Sequence, residues 1–353
     1  MISASSLNTA SQHKPRPLPL FIELLRSETE GAPERRAAAL QGLRAYQEAP
    51  RRPRPPAMPI VATAGRAALR DYGGTGRPAI FVPSLINPPD VLDLSVDNSL
   101  LRWLASEGVR PLLIDWGTPT PEERALSIAG HVEQLLLPLL RAVGEPVALV
   151  GYCLGGTMAL AAAARHPVQS LALIAAPWRF VGFPQQARAD MAALWTDAAP
   201  LATRLGLLPM EILQAGFWRL DPARTIGKFE AFGQIPPDSA AAQGFIALED
   251  WANDGPPLTE AAARELTVDF FGADLPGAGR WQVAGAPVDP ATLNCPLLDI
   301  ASATDRIVPA ASATGMGKAL TLDLGHVGMI VGGRARAALW TPLARWLSPP
   351  LGC

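Results

Sequence analysis

Cysteine and histidine are scarce in this chain of 353 residues, with three of the first and four of the second. Cys153, Cys295 and Cys353 are odd in number, widely spaced and free of any Cys-x-x-Cys pair. That excludes a disulfide framework and points to a reducing compartment. No His, Cys or Asp residues recur at metal-ligand spacing, so no metal is expected. Charge of one sign is missing too: 30 Lys and Arg stand against 32 Asp and Glu, for a net charge of −2. With no basic field, a nucleic-acid partner is not expected. No uncharged apolar run reaches the roughly 18 residues that a membrane helix needs. The closest, Cys153–Ala164, fits a buried helix instead. Residues 1–19 lack an apolar core behind a basic start, so no secretory leader is expected. Together these absences read as a cytoplasmic protein with no transmembrane segment. Attachment to the surface of a hydrophobic particle stays compatible with them. No repeat of fixed period occurs. The glycines of Asp71-Tyr72-Gly73-Gly74-Thr75-Gly76 are not followed by Gly-Lys-Ser/Thr, so they read as a turn rather than a phosphate loop.

What is present is apolar: 49% of residues are hydrophobic and only 18% charged, enough for a sizeable core. Leu20–Arg26 and Glu34–Glu48 carry helical spacing. Ala49–Pro59 is crowded with proline and arginine and reads as a solvated tether. Contact of its arginines with an acidic partner or a phosphate is the rarer alternative. Strands are then expected at Ala79–Val82, Pro111–Asp115, Val147–Val150 and Leu171–Ala175. Helices are expected at Asp97–Ser106 and Ile128–Val143. This alternation predicts an α/β fold with a mostly parallel, doubly wound sheet. It lapses between residues 177 and 294, which are rich in Pro, Gly, Ala and Trp and read as an inserted helical cap. It resumes at Pro296–Ala301 and Leu320–Leu324, with a last helix over Arg334–Leu347. The expected organisation is an extension over 1–58, a core from 59–176 and 295–353, and a cap over 177–294. Trp195, Phe217, Trp218, Phe229, Phe232 and Trp251 of the cap could line an acyl channel, but core packing is the commoner fate of such residues.

The chemistry concentrates at Leu149-Val150-Gly151-Tyr152-Cys153-Leu154-Gly155-Gly156-Thr157. An apolar strand meets a Gly-x-Cys-x-Gly turn and a helix-prone run of small residues. That is the strand–turn–helix setting of a nucleophile elbow, with cysteine at the apex. A thiol there attacks thioesters once something takes its proton. The base is expected to be His326, in Gly325-His326-Val327-Gly328, just past the last strand, where catalytic groups of doubly wound sheets gather. His13, His131 and His166 read as structural. The orienting acid is expected at Asp305, just beyond the strand Pro296–Ala301. Asp299 and Asp323 lie within strands and point to sheet faces. Expected oxyanion donors are the backbone N–H of Leu154 and, from the loop after Ala79–Val82, that of Ile86. Cys295 reads as a small buried residue, and Cys353 as a terminal one.

These segments resemble polyhydroxyalkanoate synthases, of the α/β-hydrolase superfamily. Val82-Pro83-Ser84-Leu85-Ile86-Asn87-Pro88-Pro89, Leu92-Asp93-Leu94, Leu113-Ile114-Asp115-Trp116-Gly117 and Gly151-Tyr152-Cys153-Leu154-Gly155-Gly156-Thr157 carry the likeness. Asp305-Arg306-Ile307-Val308-Pro309 and Gly325-His326-Val327-Gly328 look like that family's acid and base motifs. Tyr152 and Leu154 flank the cysteine where the family often has an aliphatic residue and a glutamine. The resemblance implies an α/β-hydrolase fold and an acyltransferase that polymerises (R)-3-hydroxyacyl-coenzyme A into a polyester. Cys153 would carry the acyl group, His326 would be its base, and Asp305 would orient the base or activate the 3-hydroxyl. No cofactor is implied beyond coenzyme A as part of substrate and product. The short chain is similar to the class III catalytic subunit, which implies a non-catalytic partner subunit; a homodimer is the other expectation, and the polymer granule surface a second location. The alternative activity is a Cys153-dependent hydrolase on the same fold, an intracellular depolymerase, thioesterase or esterase.

Overall fold

A computed structural model describes residues 15–348 of the chain. His13 and Cys353 lie outside the described residues. By contacts the chain divides into two compact units. One comprises Met1–Arg54 with Glu211–Gly255, the other Pro55–Met210 with Pro256–Cys353. This division cuts across the segments drawn from the sequence: the N-terminal helices group with the middle of the expected cap, and the two ends of that cap group with the sheet.

The larger unit is built on an eight-stranded sheet. Its strands are β1 (Ile60–Ala64), β2 (Ala67–Asp71), β3 (Pro78–Val82), β4 (Arg110–Asp115), β5 (Ala148–Tyr152), β6 (Ser170–Ile174), β7 (Leu297–Ser302) and β8 (Lys318–Leu322). Their spatial order is β1-β2-β4-β3-β5-β6-β7-β8. β1 and β2 form an antiparallel hairpin and β2 runs antiparallel to β4; every other pairing is parallel. The central strands β3 and β5 are buried at every position. Strands covered on both faces read as continuous apolar runs, which is why these two were legible in the sequence. The β1–β2 hairpin was not expected. β1 has no buried residue, only exposed and half-buried ones, and its turn to β2 is made at Gly65, φ 54°.

Helices bear out the spacing with local adjustments. Ile128–Val143 is continuous, with a wider π-turn over Val132–Leu136. Ser127 caps its start by accepting Gly130 N–H, and Gly144, at φ 71°, ends it. The helix expected from Asp97 begins only at Leu100, because Asn98 and Ser99 pair with Asp93–Ser95, and Ser99 then caps the helix through Arg102 N–H. Helix Leu154–Ala163 is buried from Leu154 to Ala162. A ring cluster of Phe180, Phe183, Phe270, Phe271, Trp281 and Trp178 packs within this unit.

The smaller unit is helical. Leu18–Glu28, Pro33–Glu48, Pro222–Phe232 and Ala240–Ala252 bury Phe21, Leu43, Tyr46, Trp218, Phe229 and Phe232 in one cluster. Three of the aromatics considered for a channel, Trp218, Phe229 and Phe232, are therefore core residues here. The expected tether is not free in this unit. Arg51 makes a two-pronged pair with Asp250, each N···O at 3.0 Å, and lies 4.7 Å from the centre of the Tyr46 ring. Arg54 pairs with Asp254 at 2.9 Å. A guanidinium fork matched to a carboxylate supplies the order that the proline-rich backbone cannot. Among the described residues, no helix is long and apolar enough to cross a membrane.

Candidate active site

The elbow follows from steric necessity. β5 ends at Tyr152, and Cys153 turns with φ 56° and ψ −133° before the helix starts at Leu154. Such a conformation costs a side-chain-bearing residue about 1–3 kcal/mol, so its surroundings must enforce it. Cys153 N–H is held by Ile174 O of the neighbouring strand at 2.9 Å, and Cys153 O accepts Gly156 N–H at 2.8 Å. Three glycines make room for this crossing. A Cβ at Gly155 would run into the carbonyl oxygens of Val82 and Pro83. One at Gly151 would strike the backbone of Gly155 and Gly156, and one at Gly156 would strike Ala176. The Cys153 side chain is left half-buried.

Asp305 and His326 are brought together from the loops after β7 and β8. His326 Nδ1 lies 2.6 Å from Asp305 Oδ2, and both residues are buried. The other carboxylate oxygen, Oδ1, accepts the N–H groups of Ile307 at 2.8 Å and Val308 at 2.9 Å. The acid is thereby fixed as an acceptor on both oxygens, which leaves Nδ1 of the imidazole to donate. The Cys153 sulfur lies close enough to the imidazole to act on its charge. Burial opposes a charge on His326, but the Cys153 sulfur and the Asp305 carboxylate outweigh it and push its pKa up to about 10. The site therefore favours an imidazolium beside the Cys153 sulfur.

Two residues at this site have roles that the motifs did not assign. Ser302, the last residue of β7, accepts Leu324 N–H at 3.1 Å and donates to Leu324 O at 2.6 Å. It ties the loop that carries His326 to the end of the strand that precedes Asp305. Nothing in the sequence marks it. Tyr152 stacks on the His326 ring with centroids 5.0 Å apart. Its position beside Cys153 was the available signal.

The remaining candidates make contacts of their own. Ile86 N–H, expected as an oxyanion donor, is donated to Ser84 Oγ at 3.1 Å within its own loop. Leu154 N–H begins the helix, where amides have no intrahelical acceptor. His131 donates from Nδ1 to Ser127 O at 2.7 Å and receives Arg66 Nη2 on Nε2 at 2.6 Å. Its burial first, and Arg66 with it, push its pKa down to about 4, so it stays neutral. His166 closes the helix after Leu154, its N–H bonded to Ala162 O at 2.9 Å. Asp299 is buried in β7, where Oδ2 accepts from Thr314 Oγ1 at 2.5 Å and from Gly315 N–H at 3.0 Å. Cys295 is half-buried, and burial pushes its thiol pKa up. Among the described residues, no group of three or more His, Cys, Asp or Glu side chains is arranged to hold a metal.

Comparison with known proteins bears on this geometry. The model of the alpha/beta hydrolase fold matches residues 110–327, which run from β4 through the elbow to just past His326. Similar curated proteins are named poly(3-hydroxyalkanoate) polymerase subunit PhaC. The one from Allochromatium vinosum is 27% identical over 291 residues, covering 77% of this chain and 80% of that protein. The one from Synechocystis sp. is 28% identical over 292 residues, covering 77% of each. The one from Haloferax mediterranei is 26% identical over 292 residues, covering 77% of this chain but only 58% of that longer protein.

Proposed function

From the premise that the chain belongs to the alpha/beta hydrolase fold family, we propose that it is an acyltransferase that builds a poly(3-hydroxyalkanoate) from (R)-3-hydroxyacyl-coenzyme A. The similarity to polymerase subunits supports the substrate class. The observation that carries the mechanism is a cysteine at the apex of a strained elbow, with a buried His326–Asp305 pair against its sulfur. The Cys153 thiolate adds to the thioester carbonyl carbon. The negative oxygen that develops is met by Leu154 N–H and by an amide of the loop over residues 83–86, where Ile86 serves only if it lets go of Ser84. The tetrahedral species collapses, the bond from carbon to the coenzyme A sulfur breaks, and His326 returns its proton to the leaving thiol. Neutral imidazole then takes the proton of a 3-hydroxyl as that oxygen attacks the acyl carbon held on Cys153; the carbon–sulfur bond to Cys153 breaks, its thiolate is restored beside the imidazolium, and an ester bond forms. Exchange of one thioester for another is close to isoenergetic, so a cysteine suits transfer better than it suits irreversible hydrolysis.

Purified protein given 3-hydroxybutyryl-coenzyme A is expected to release free coenzyme A and deposit insoluble polyester. C153A is expected to do neither. Monomeric 3-hydroxy acid without polymer would overturn the transferase reading in favour of a hydrolase. Equal coenzyme A release by C153A and the parent would remove the nucleophile. The resemblance to class III subunits also supports a non-catalytic partner subunit, and the product supports work at a polymer surface in the cytoplasm.

A further inference from the structure

The loop that carries His326 is tied on either side of it, where Ser302 holds Leu324 and Met329 N–H bonds to Gly325 O at 2.9 Å. Between those ties His326 lies amid Gly325 and Gly328, and neither glycine has a heavy atom near the position a Cβ would take, so side-chain packing against them adds no further support. The bond from Nδ1 to Asp305 fixes one point of the imidazole, about which the ring can still swing. A base that swings by 1 Å loses its line to the sulfur. Something else must fix the ring plane and the backbone beneath it.

Tyr152 does both. Its ring lies against the imidazole with centroids 5.0 Å apart and planes inclined by 24°, which makes it a stacking floor rather than an edge contact. Its hydroxyl donates to the main-chain oxygen of His326 at 3.2 Å. The residue is buried, and burial first, with the charges of Cys153 and Asp305, holds the phenol far above its ordinary pKa. It therefore remains a neutral donor wherever the site works. The same strand end thus supplies the nucleophile at one residue and the support of its base at the preceding one. We infer that Tyr152 is a positioning residue that sets the plane and the backbone of His326, so that Nε2 faces the Cys153 sulfur. A π-face under a cation also favours the charged imidazole. The titratable groups that face this imidazole are Cys153, Asp305 and Tyr152.

The inference rests on the role of His326 as the base, so H326Q is measured beside the Tyr152 variants. Coenzyme A release is followed from pH 6 to 10, and the His326 pKa is read by NMR. Y152F keeps the ring and loses the anchor; its kcat is expected to fall about 3- to 10-fold with KM unchanged, because misalignment affects the chemical step and not substrate binding. Y152L loses the ring as well; its kcat is expected to fall about 30-fold or more, with the His326 pKa displaced downwards. If H326Q is dead while Y152F and Y152L keep the parental kcat and pH profile, the inference is overturned and the base reading stands. If H326Q is as active as the parent, the base reading itself fails, and with it the reason for the support. If Y152L does not fold, Y152F decides, since it differs by one buried oxygen: a parental kcat and an unmoved profile overturn the inference.

Discussion

His326 is the residue on which the pH behaviour of the molecule turns. Its pKa rises from the ordinary 6.5 to about 10 in the folded chain, against burial, through Cys153 and Asp305. A raised folded-state pKa means that the folded form holds its proton more tightly than the unfolded form. The stabilisation is therefore fully present below about pH 6.5 and is lost as pH climbs towards 10. Melting temperatures between pH 6 and 10 are expected to fall in the parent and to fall less in C153A, which lacks the largest cause of the rise. Equal slopes would show that the sulfur does not hold the proton. Gly155 sets a second limit at this scale. Its missing Cβ leaves room for the carbonyl oxygens of Val82 and Pro83. G155A is expected to cost about 1–3 kcal/mol in urea unfolding, as overpacking does, and to abolish acyl-enzyme formation. An unchanged unfolding midpoint would mean that the elbow relaxes freely.

At the scale of elements, the central strands were legible and the helix crossings were not. β3, β5 and β6 lie inside the sheet, so nearly every side chain is apolar and the run is visible without a partner. β1 is half-solvated and needs β2 to be recognised as a strand. The helices of the smaller unit show the same dependence. Pro33–Glu48 has helical spacing, but Gly42 within it looks like a weak point for a helix. The structure supplies the reason: a Cβ there would overlap the carbonyl of Phe229, on the helix that crosses it. G42A is therefore expected to destabilise the smaller unit by about 1–3 kcal/mol, although alanine is the better helix former. A gain in stability by calorimetry would show that this crossing is looser.

At the scale of the whole molecule, the site is assembled from distant parts of the chain. Tyr152 and His326 touch across 174 residues of sequence, and Asp305 reaches His326 across 21. The candidate residues Cys153, Asp305 and His326 could be named from sequence because each sits at the carboxyl end of a strand, which a parallel sheet collects on one edge. Identity and order along the chain were enough for that, since local spacing already encodes strand, turn and helix. Which amide remains free, which ring supports the base, how Ser302 ties the loops, and which helices bury Phe229 were left to the tertiary structure. Those are contacts between residues far apart in sequence. They depend on angles and gaps of a few ångströms that no single segment carries, so only the folded chain could decide them.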